Sequence, residues 1–159
     1  MLFCAGEPPC RLLGRTGIWL RAEAPGELTL GEMKRCMAII EDGGTVSLRT
    51  MKPDLPRSQM LAIARYRTEI VAVGAIKPVR KDHAAAIAAK SRYSFPADTP
   101  ELGYVAIDAV HQGHGLSHKI TRILLSRHTG QLFATTDSPR MKENSRGCRV
   151  LPRRKRMGR

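Results

Sequence analysis

The sequence lacks long apolar runs, an export signal and a large aromatic content. Aromatic residues make up 4% of its 159 residues, which leaves little surface on which the bases of a single-stranded nucleic acid would stack. No apolar run approaches the ~20 residues of a membrane span. The N-terminus also lacks the apolar core and small-residue cleavage site of a signal peptide. A cytoplasmic protein without a membrane partner is therefore predicted.

Closely spaced cysteines are also missing. The four cysteines are scattered along the chain and form no C-x-x-C pair: Cys4, Cys10, Cys36 and Cys148. Zinc sites and disulfide frameworks both need cysteines at characteristic spacings. The sequence supports neither, and reduced thiols are expected.

The positive charge is concentrated at the C-terminus. The formal net charge is +13, and residues 140–159 supply +8 of it, because they hold nine Lys/Arg and a single acidic residue, Glu143. A basic run such as Arg153–Arg156 can bind nucleic acid. A basic-tailed nucleic-acid-binding protein is therefore one alternative function, which the shortage of aromatics disfavours.

Hydrophobic periodicity predicts an α/β domain with a mixed sheet. Residues 1–28 carry prolines and glycines without periodicity, which indicates an irregular leader. The elements expected beyond it are a helix over 30–40, a strand over 45–49, a helix from about residue 60, a strand over 69–76, a helix over 82–90, a strand over 101–110, a helix over 116–128 and a strand over 131–136.

A glycine-bearing turn between the predicted strand over 101–110 and the helix at Leu116 is the candidate anion-binding site. Backbone N–H groups in such a turn point outward, and the helix N-terminus adds partial positive charge. Gly113 and Gly115 have no Cβ to keep a phosphate from the backbone. The Walker A pattern is absent, and the dinucleotide fingerprint would need a glycine where His118 stands.

The run QGHGLS (Gln112–Ser117) resembles the [RQ]-x-x-G-x-[GA] signature of the GNAT superfamily of acyl-CoA-dependent N-acetyltransferases, with Ser117 in the last position. The longer run GYVAIDAVHQGHGLSHKITRILL looks like the family's fourth strand, pyrophosphate loop and third helix, and QLFATTDSPRM looks like its fifth strand and the next helix. Together with IIEDGG and LPRSQMLAIARYRTEIVAVGAIKP, the resemblance covers about residues 30–141.

The resemblance implies a mixed, mostly antiparallel central sheet flanked by helices, with acetyl-CoA as co-substrate. Its pantetheine would pair with the strand backbone at Val105, Ala106 and Ile107. Its pyrophosphate would be bound by Gln112, Gly113, His114, Gly115, Leu116 and Ser117. A small-molecule or peptide amine would then attack the thioester directly, with Glu101 or Asp108 as candidate base. A GNAT fold that binds CoA but transfers no acyl group is a further alternative, and a homodimer is left open.

The histidines His111, His114 and His118 have a spacing that raises the question of a metal site. Two of them lie in the turn, and no acidic or thiol ligand is interleaved. They are interpreted as part of the phosphate loop, and no metal is expected.

The chain after Met141 departs from the family pattern. GNAT chains end with a helix, a Gly-Phe pair and a final strand, whereas KENSRGCRVLPRRKRMGR has no apolar period. Back-translation with a shift of one nucleotide permits an ending that resembles the family's GF and G-x-E-W motifs. We therefore expect a GNAT-like domain over 29–141, followed by a basic, disordered or out-of-frame tail over 142–159.

Overall fold

The computed structural model describes residues 10–13, 17–44, 46–91 and 94–135. Within these ranges the strands are β1 (Cys10–Leu13), β2 (Ile18–Glu23), β3 (Met60–Tyr66), β4 (Glu69–Lys77), β5 (Glu101–Ile107) and β6 (Phe133–Ala134). The helices are α1 (Leu30–Asp42), α2 (Leu48–Asp54), α3 (Lys81–Ser91) and α4 (Leu116–Arg127). None of the described helices has the length and the apolar content that a membrane crossing needs.

The six described strands form one sheet in chain order. Neighbours from β1 to β5 pair antiparallel, and only the last pair, β5 with β6, is parallel. The helix α4 connects these two parallel strands, which need a crossover connection rather than a tight turn. The predicted mixed, mostly antiparallel sheet flanked by helices is confirmed.

Apolar clusters cover both faces of the sheet, because successive side chains of a strand point to opposite faces. In β3, Leu61 and Ile63 pack with α1 and α2, whereas Ala62 and Ala64 pack with α4. The first cluster contains Met33, Cys36, Ile39, Ile40, Met51, Leu55, Ile70, Val73 and Ala75. The second contains Ile18, Leu20, Val71, Ala72, Ile76, Leu102, Leu116, Ile120 and Leu124. The sheet is therefore a buried layer between helices.

The prediction of an irregular leader over 1–28 is wrong for residues 10–13 and 18–23. These residues form β1 and β2, and β2 pairs along its whole length with β3. Ile18 and Leu20 are buried, while Trp19 and Arg21, which follow each of them, are only half-buried. This alternation is short and interrupted by charge, and its hydrogen-bonding partner lies some 40 residues away in sequence, so no local window reveals it.

Two predictions between residues 45 and 66 are also wrong. A strand was expected over 45–49, but residues 48 and 49 begin α2 (Leu48–Asp54) instead. Helical spacing lets Met51 and the following Leu55 enter the core together. Residues 60–66 form β3 instead of a helix. The apolar run there fits either element, and pairing on both sides with β2 and β4 selects the strand.

Candidate functional site

Strand β5 bends at Tyr104. Val73 of β4 pairs with Ala106 and Ala75 pairs with Gly103, so two steps along β4 lie opposite three steps along β5 and β5 carries one extra residue. The φ angle of Tyr104 is 54°, in the left-handed region that non-glycine residues rarely adopt. A bulge of this kind kinks the strand and re-aims the residues that follow it.

The described pairing of β5 with β6 ends just before the bulge. Within the described residues the two strands pair only at Glu101 with Phe133 and Leu102 with Ala134. From Gly103 onward the outer edge of β5 faces no described strand, and this part of β5 is called its open edge. The predicted pantetheine contacts, Val105 to Ile107, lie along it.

The loop after β5 is anchored at its start. The amide of Asp108 donates to the carbonyl of Val71 at 2.8 Å, and a single 3-10 turn follows over Ala109–His111. The side-chain amide of Gln112 donates back to the carbonyl of Ile107 at 3.3 Å. The chain is thereby turned toward the N-terminus of α4.

The loop residues before α4 leave their amide groups open. Gly113 and Gly115 have φ angles of 84° and 69°, which glycine adopts without strain. The N–H groups of Gly113, His114, Gly115 and Leu116 donate to no acceptor within the described ranges. Residues 112–115 are exposed, and α4 begins directly behind them. The loop therefore presents a group of backbone donors, with the helix dipole, to an anion.

The loop histidines lie around these donors without forming a metal site. His114 is exposed, and the ring of His111 lies 5.7 Å from that of Tyr66, centroid to centroid. Within the part of the chain that the structure describes, no three His, Cys, Asp or Glu side chains come together as a metal would require.

Glu101 lies at the other end of β5 and is almost fully buried. One carboxylate oxygen is 3.0 Å from Lys77 Nζ and 3.7 Å from His83 Nε2. The other accepts a hydrogen bond from the Thr135 hydroxyl at 3.0 Å. The structure thus places this candidate base inside an ion pair, at the residue where β5 pairs with Phe133 of β6.

Tyr104 lies between the Lys77–Glu101 ion pair and a second pair, Arg80–Asp54. Its ring lies under Lys77, whose Nζ is 4.6 Å from the ring centroid. Its hydroxyl donates to Asp54 at 3.5 Å, and the same carboxylate oxygen accepts from Arg80 Nε at 3.0 Å. Burial, followed by the nearby negative charge of Asp54, raises the pKa of Tyr104 to about 12. Tyr104 therefore stays protonated and neutral at physiological pH.

Asp108, the second candidate base, is also held by a cation. Its carboxylate pairs with Arg35 of α1 and accepts a bond from the amide of Val110 at 3.3 Å. The sequence analysis did not identify Arg35, Lys77, Asp54 or His83 as site residues. Only Lys77 had a signal in the sequence, because it is a charged residue at the end of an apolar strand. The others lie on helices whose contact with β5 is tertiary.

No protein-family model matches the sequence, and no curated protein sequence matches it. Solved structures do match. An aminoglycoside acetyltransferase from an uncultured soil metagenomic sample, in complex with trehalose, has a TM-score of 0.52 at 12% identity, over 85% of this chain and 89% of its own. A Mycobacterium tuberculosis protein in complex with CoA has a TM-score of 0.50 at 16% identity, over 77% of this chain and 68% of its own.

A longer acetyltransferase chain from Pyrococcus horikoshii matches 72% of this chain at 16% identity, with a TM-score of 0.44; this chain spans 35% of its length. The mixed, mostly antiparallel sheet and the glycine loop before α4 agree with the family resemblance of the sequence. The chain has the fold of the GNAT acetyltransferases.

Proposed function

We propose that this chain transfers the acetyl group of acetyl-CoA to a primary amine. The observation that carries the proposal is the loop of Gly113, His114, Gly115 and Leu116, with its four open N–H groups at the N-terminus of α4. A pyrophosphate is the part of CoA that such a loop binds. Ser117 follows in the first turn of α4, where a small hydroxyl side chain is compatible with a bound phosphate.

The open edge of β5 supports the next part of the proposal. A pantetheine chain is extended and carries amide groups, so it can pair with the backbone of Val105, Ala106 and Ile107 in the manner of an added strand. The thioester would then lie near the bulge at Tyr104. A backbone N–H at that point would polarise the thioester carbonyl as charge develops on its oxygen.

The chemistry is a direct attack. The amine lone pair forms a C–N bond at the thioester carbon, the C–S bond breaks, and CoA leaves as the thiolate. The nitrogen loses one proton. Glu101 is the base we favour, because it lies three residues before the bulge and His83, which is partly exposed, sits 3.7 Å away as a route for the proton to solvent.

The acceptor is proposed only as a class, a small-molecule or peptide amine. One structural neighbour is an aminoglycoside acetyltransferase, and an aminoglycoside falls within this class. At 12% identity that likeness concerns the fold, so the acceptor is to be found by screening.

Calorimetric titration with acetyl-CoA tests the proposal. We expect micromolar binding by the wild type and its loss in Gly115→Glu, which puts a negative charge among the loop amides. Two controls isolate that charge. Gly115→Gln keeps the backbone strain without the charge, and Gly44→Glu adds the same charge at a glycine that has the same φ of 69° and equally open surroundings.

Binding that Gly115→Glu weakens no more than Gly44→Glu would contradict the loop assignment. Release of free CoA from a panel of amines, followed by chromatography, then separates a transferase from a fold that only binds CoA. Removal of residues 142–159 addresses the nucleic-acid alternative, because affinity for DNA or RNA that falls steeply with salt and disappears with the tail belongs to that alternative.

A further inference from the structure

Arg35 joins three elements close to the glycine loop. It lies on α1, its Nε donates to the carbonyl of Ile70 in β4 at 3.2 Å, and its terminal nitrogen pairs with the carboxylate of Asp108. Asp108 is the first residue after β5. One side chain therefore fixes the helix on one face of the sheet to the strand end from which the loop departs.

Asp108 passes this constraint on to the turn that precedes the loop. Its second carboxylate oxygen accepts from the amide of Val110, its amide donates to the carbonyl of Val71, and its carbonyl accepts from the amide of His111 at 2.9 Å. These bonds use the side chain and both backbone groups of Asp108. The start of the loop is thus set by Asp108, and Arg35 holds Asp108 in place.

The glycine loop has few other constraints. Residues 112–115 are exposed, and the hydrogen bond of the Gln112 side chain to Ile107 is local. The next buried residue is Leu116, at the start of α4. The position of the open amides therefore depends on two anchors, the turn at Asp108 before the loop and the packing of Leu116 after it.

The charge relationship also bears on the role of Asp108. One carboxylate oxygen of Asp108 pairs with Arg35 and the other accepts from the Val110 amide, so both oxygens hold protein groups at the start of the loop. The Arg35 side chain is 41% exposed and that of Asp108 22%. Partly exposed ion pairs contribute little to the free energy of unfolding. The main effect of this pair is therefore on the position of the loop.

We infer that Arg35 and Asp108 form a positioning pair that orients the Gln112–Ser117 loop for the pyrophosphate. This inference rests on the proposed function of the loop. It extends that function because Arg35, which lies on α1 and outside the Gln112–Ser117 motif, would contribute to the affinity for acetyl-CoA.

The experiment compares Arg35→Gln, Asp108→Asn and the double variant. Each single variant should raise the Kd and the KM for acetyl-CoA by about fivefold, the scale expected for one partly exposed charged pair. The double variant should be no weaker than the singles, because either change removes the same interaction. The kcat at saturating acetyl-CoA and the pH profile of kcat should stay as in the wild type.

The matched control is Arg21→Gln, which removes an arginine from a surface pair with Glu27 at 3.8 Å, away from the loop. It should leave the acetyl-CoA Kd unchanged. A second readout needs no ligand. In NMR hydrogen exchange, the bonded amides of Asp108, Val110 and His111 should exchange faster in Arg35→Gln than in the wild type, and those of α4 should not.

The outcomes separate the two proposals. If the wild type does not bind acetyl-CoA, the proposed function fails, and the exchange experiment still tests whether Arg35 orders the turn. If the wild type binds and Arg35→Gln binds equally well with unchanged exchange, the positioning role is wrong. If Asp108→Asn lowers kcat by about a hundredfold or more and Arg35→Gln does not, Asp108 is a base after all.

Discussion

Gly74 of β4 lies directly beneath Ile120 of α4. A Cβ atom built on Gly74 would come within 2.4 Å of Ile120 Cγ2, and within 3.3 Å of both Leu124 Cδ1 and Val105 Cγ2. The absence of a side chain at Gly74 therefore lets α4 approach the sheet. Because the glycine loop ends where α4 begins, this contact also sets the height of the loop above the strands.

Replacing Gly74 with alanine should destabilise the fold. The added methyl group overpacks a closed helix–sheet contact, and such changes cost about 1–3 kcal/mol. Chemical denaturation measures the loss. The control is Gly26→Ala, where a Cβ meets nothing within 4 Å, and its unfolding free energy should stay close to that of the wild type. Equal stability of the two variants would show that α4 shifts without cost.

The effects of mutating Lys77 and Glu101 on the free energy of unfolding should be strongly coupled. Glu101→Gln leaves a mostly buried ammonium without its partner, and breaking a buried pair from one side costs about 3–5 kcal/mol. We expect a loss at the lower end of that range, because the ring of Tyr104 still faces Lys77. Lys77→Met combined with Glu101→Gln should recover part of it.

A double-mutant cycle in urea measures this coupling. Additive losses from the two changes would mean that each residue is held by other partners. Thr135→Val serves as the comparison, since it removes a neutral donor to the same carboxylate and should cost less than either charge change.

The hydroxyl of Tyr104 should ionise at a higher pH than that of an ordinary tyrosine. Its pKa is raised to about 12 from an unperturbed value of 10.0. The folded state therefore holds this proton more tightly than the unfolded chain. Its contribution to stability is complete below the unfolded pKa and is lost as the pH rises through the folded pKa, in the window from about 10 to about 12.

Ultraviolet titration of tyrosinate tests this expectation, with Tyr104→Phe subtracted from the wild type. The difference should show no ionisation near pH 10. A difference signal centred at pH 10 would contradict the buried contacts of the Tyr104 hydroxyl.

Arg65 should be needed for the packing of α1 on the sheet. It is buried in β3, pairs with buried Glu23 and with Glu32 of α1, and lies 4.9 Å over the ring of Trp19. Arg65→Met leaves Glu23 buried without a partner, which costs about 3–5 kcal/mol. Glu23→Gln added to Arg65→Met should restore part of the lost stability.

Fluorescence follows this change directly, because Trp19 is the single tryptophan of the chain. Its emission should shift in Arg65→Met and its unfolding midpoint should fall. Arg57→Met changes an exposed arginine and should leave both unchanged. An unaltered midpoint in Arg65→Met would show that the cluster is not a source of stability.

The elements that the sequence predicted well have strong local signals. The helix from Leu30 has a capping box at Thr29 and Glu32, in which each residue bonds the backbone of the other. The run over Glu69–Lys77 is apolar and β-branched, as a strand covered on both faces should be. The helix from Leu116 follows its glycines. In each case, residues within one short window select the element.

The sequence by itself determined the glycine-bearing turn between β5 and α4, because a strand, two glycines and a helix start lie within a few neighbouring residues. The tertiary structure alone decided the environments of Glu101 and Asp108, since Lys77 and Arg35 reach them from other elements. It also decided that residues 60–66 are a strand. An apolar run fits a helix or a strand equally well until neighbouring chains supply its hydrogen bonds, and those neighbours come together only when the chain has folded.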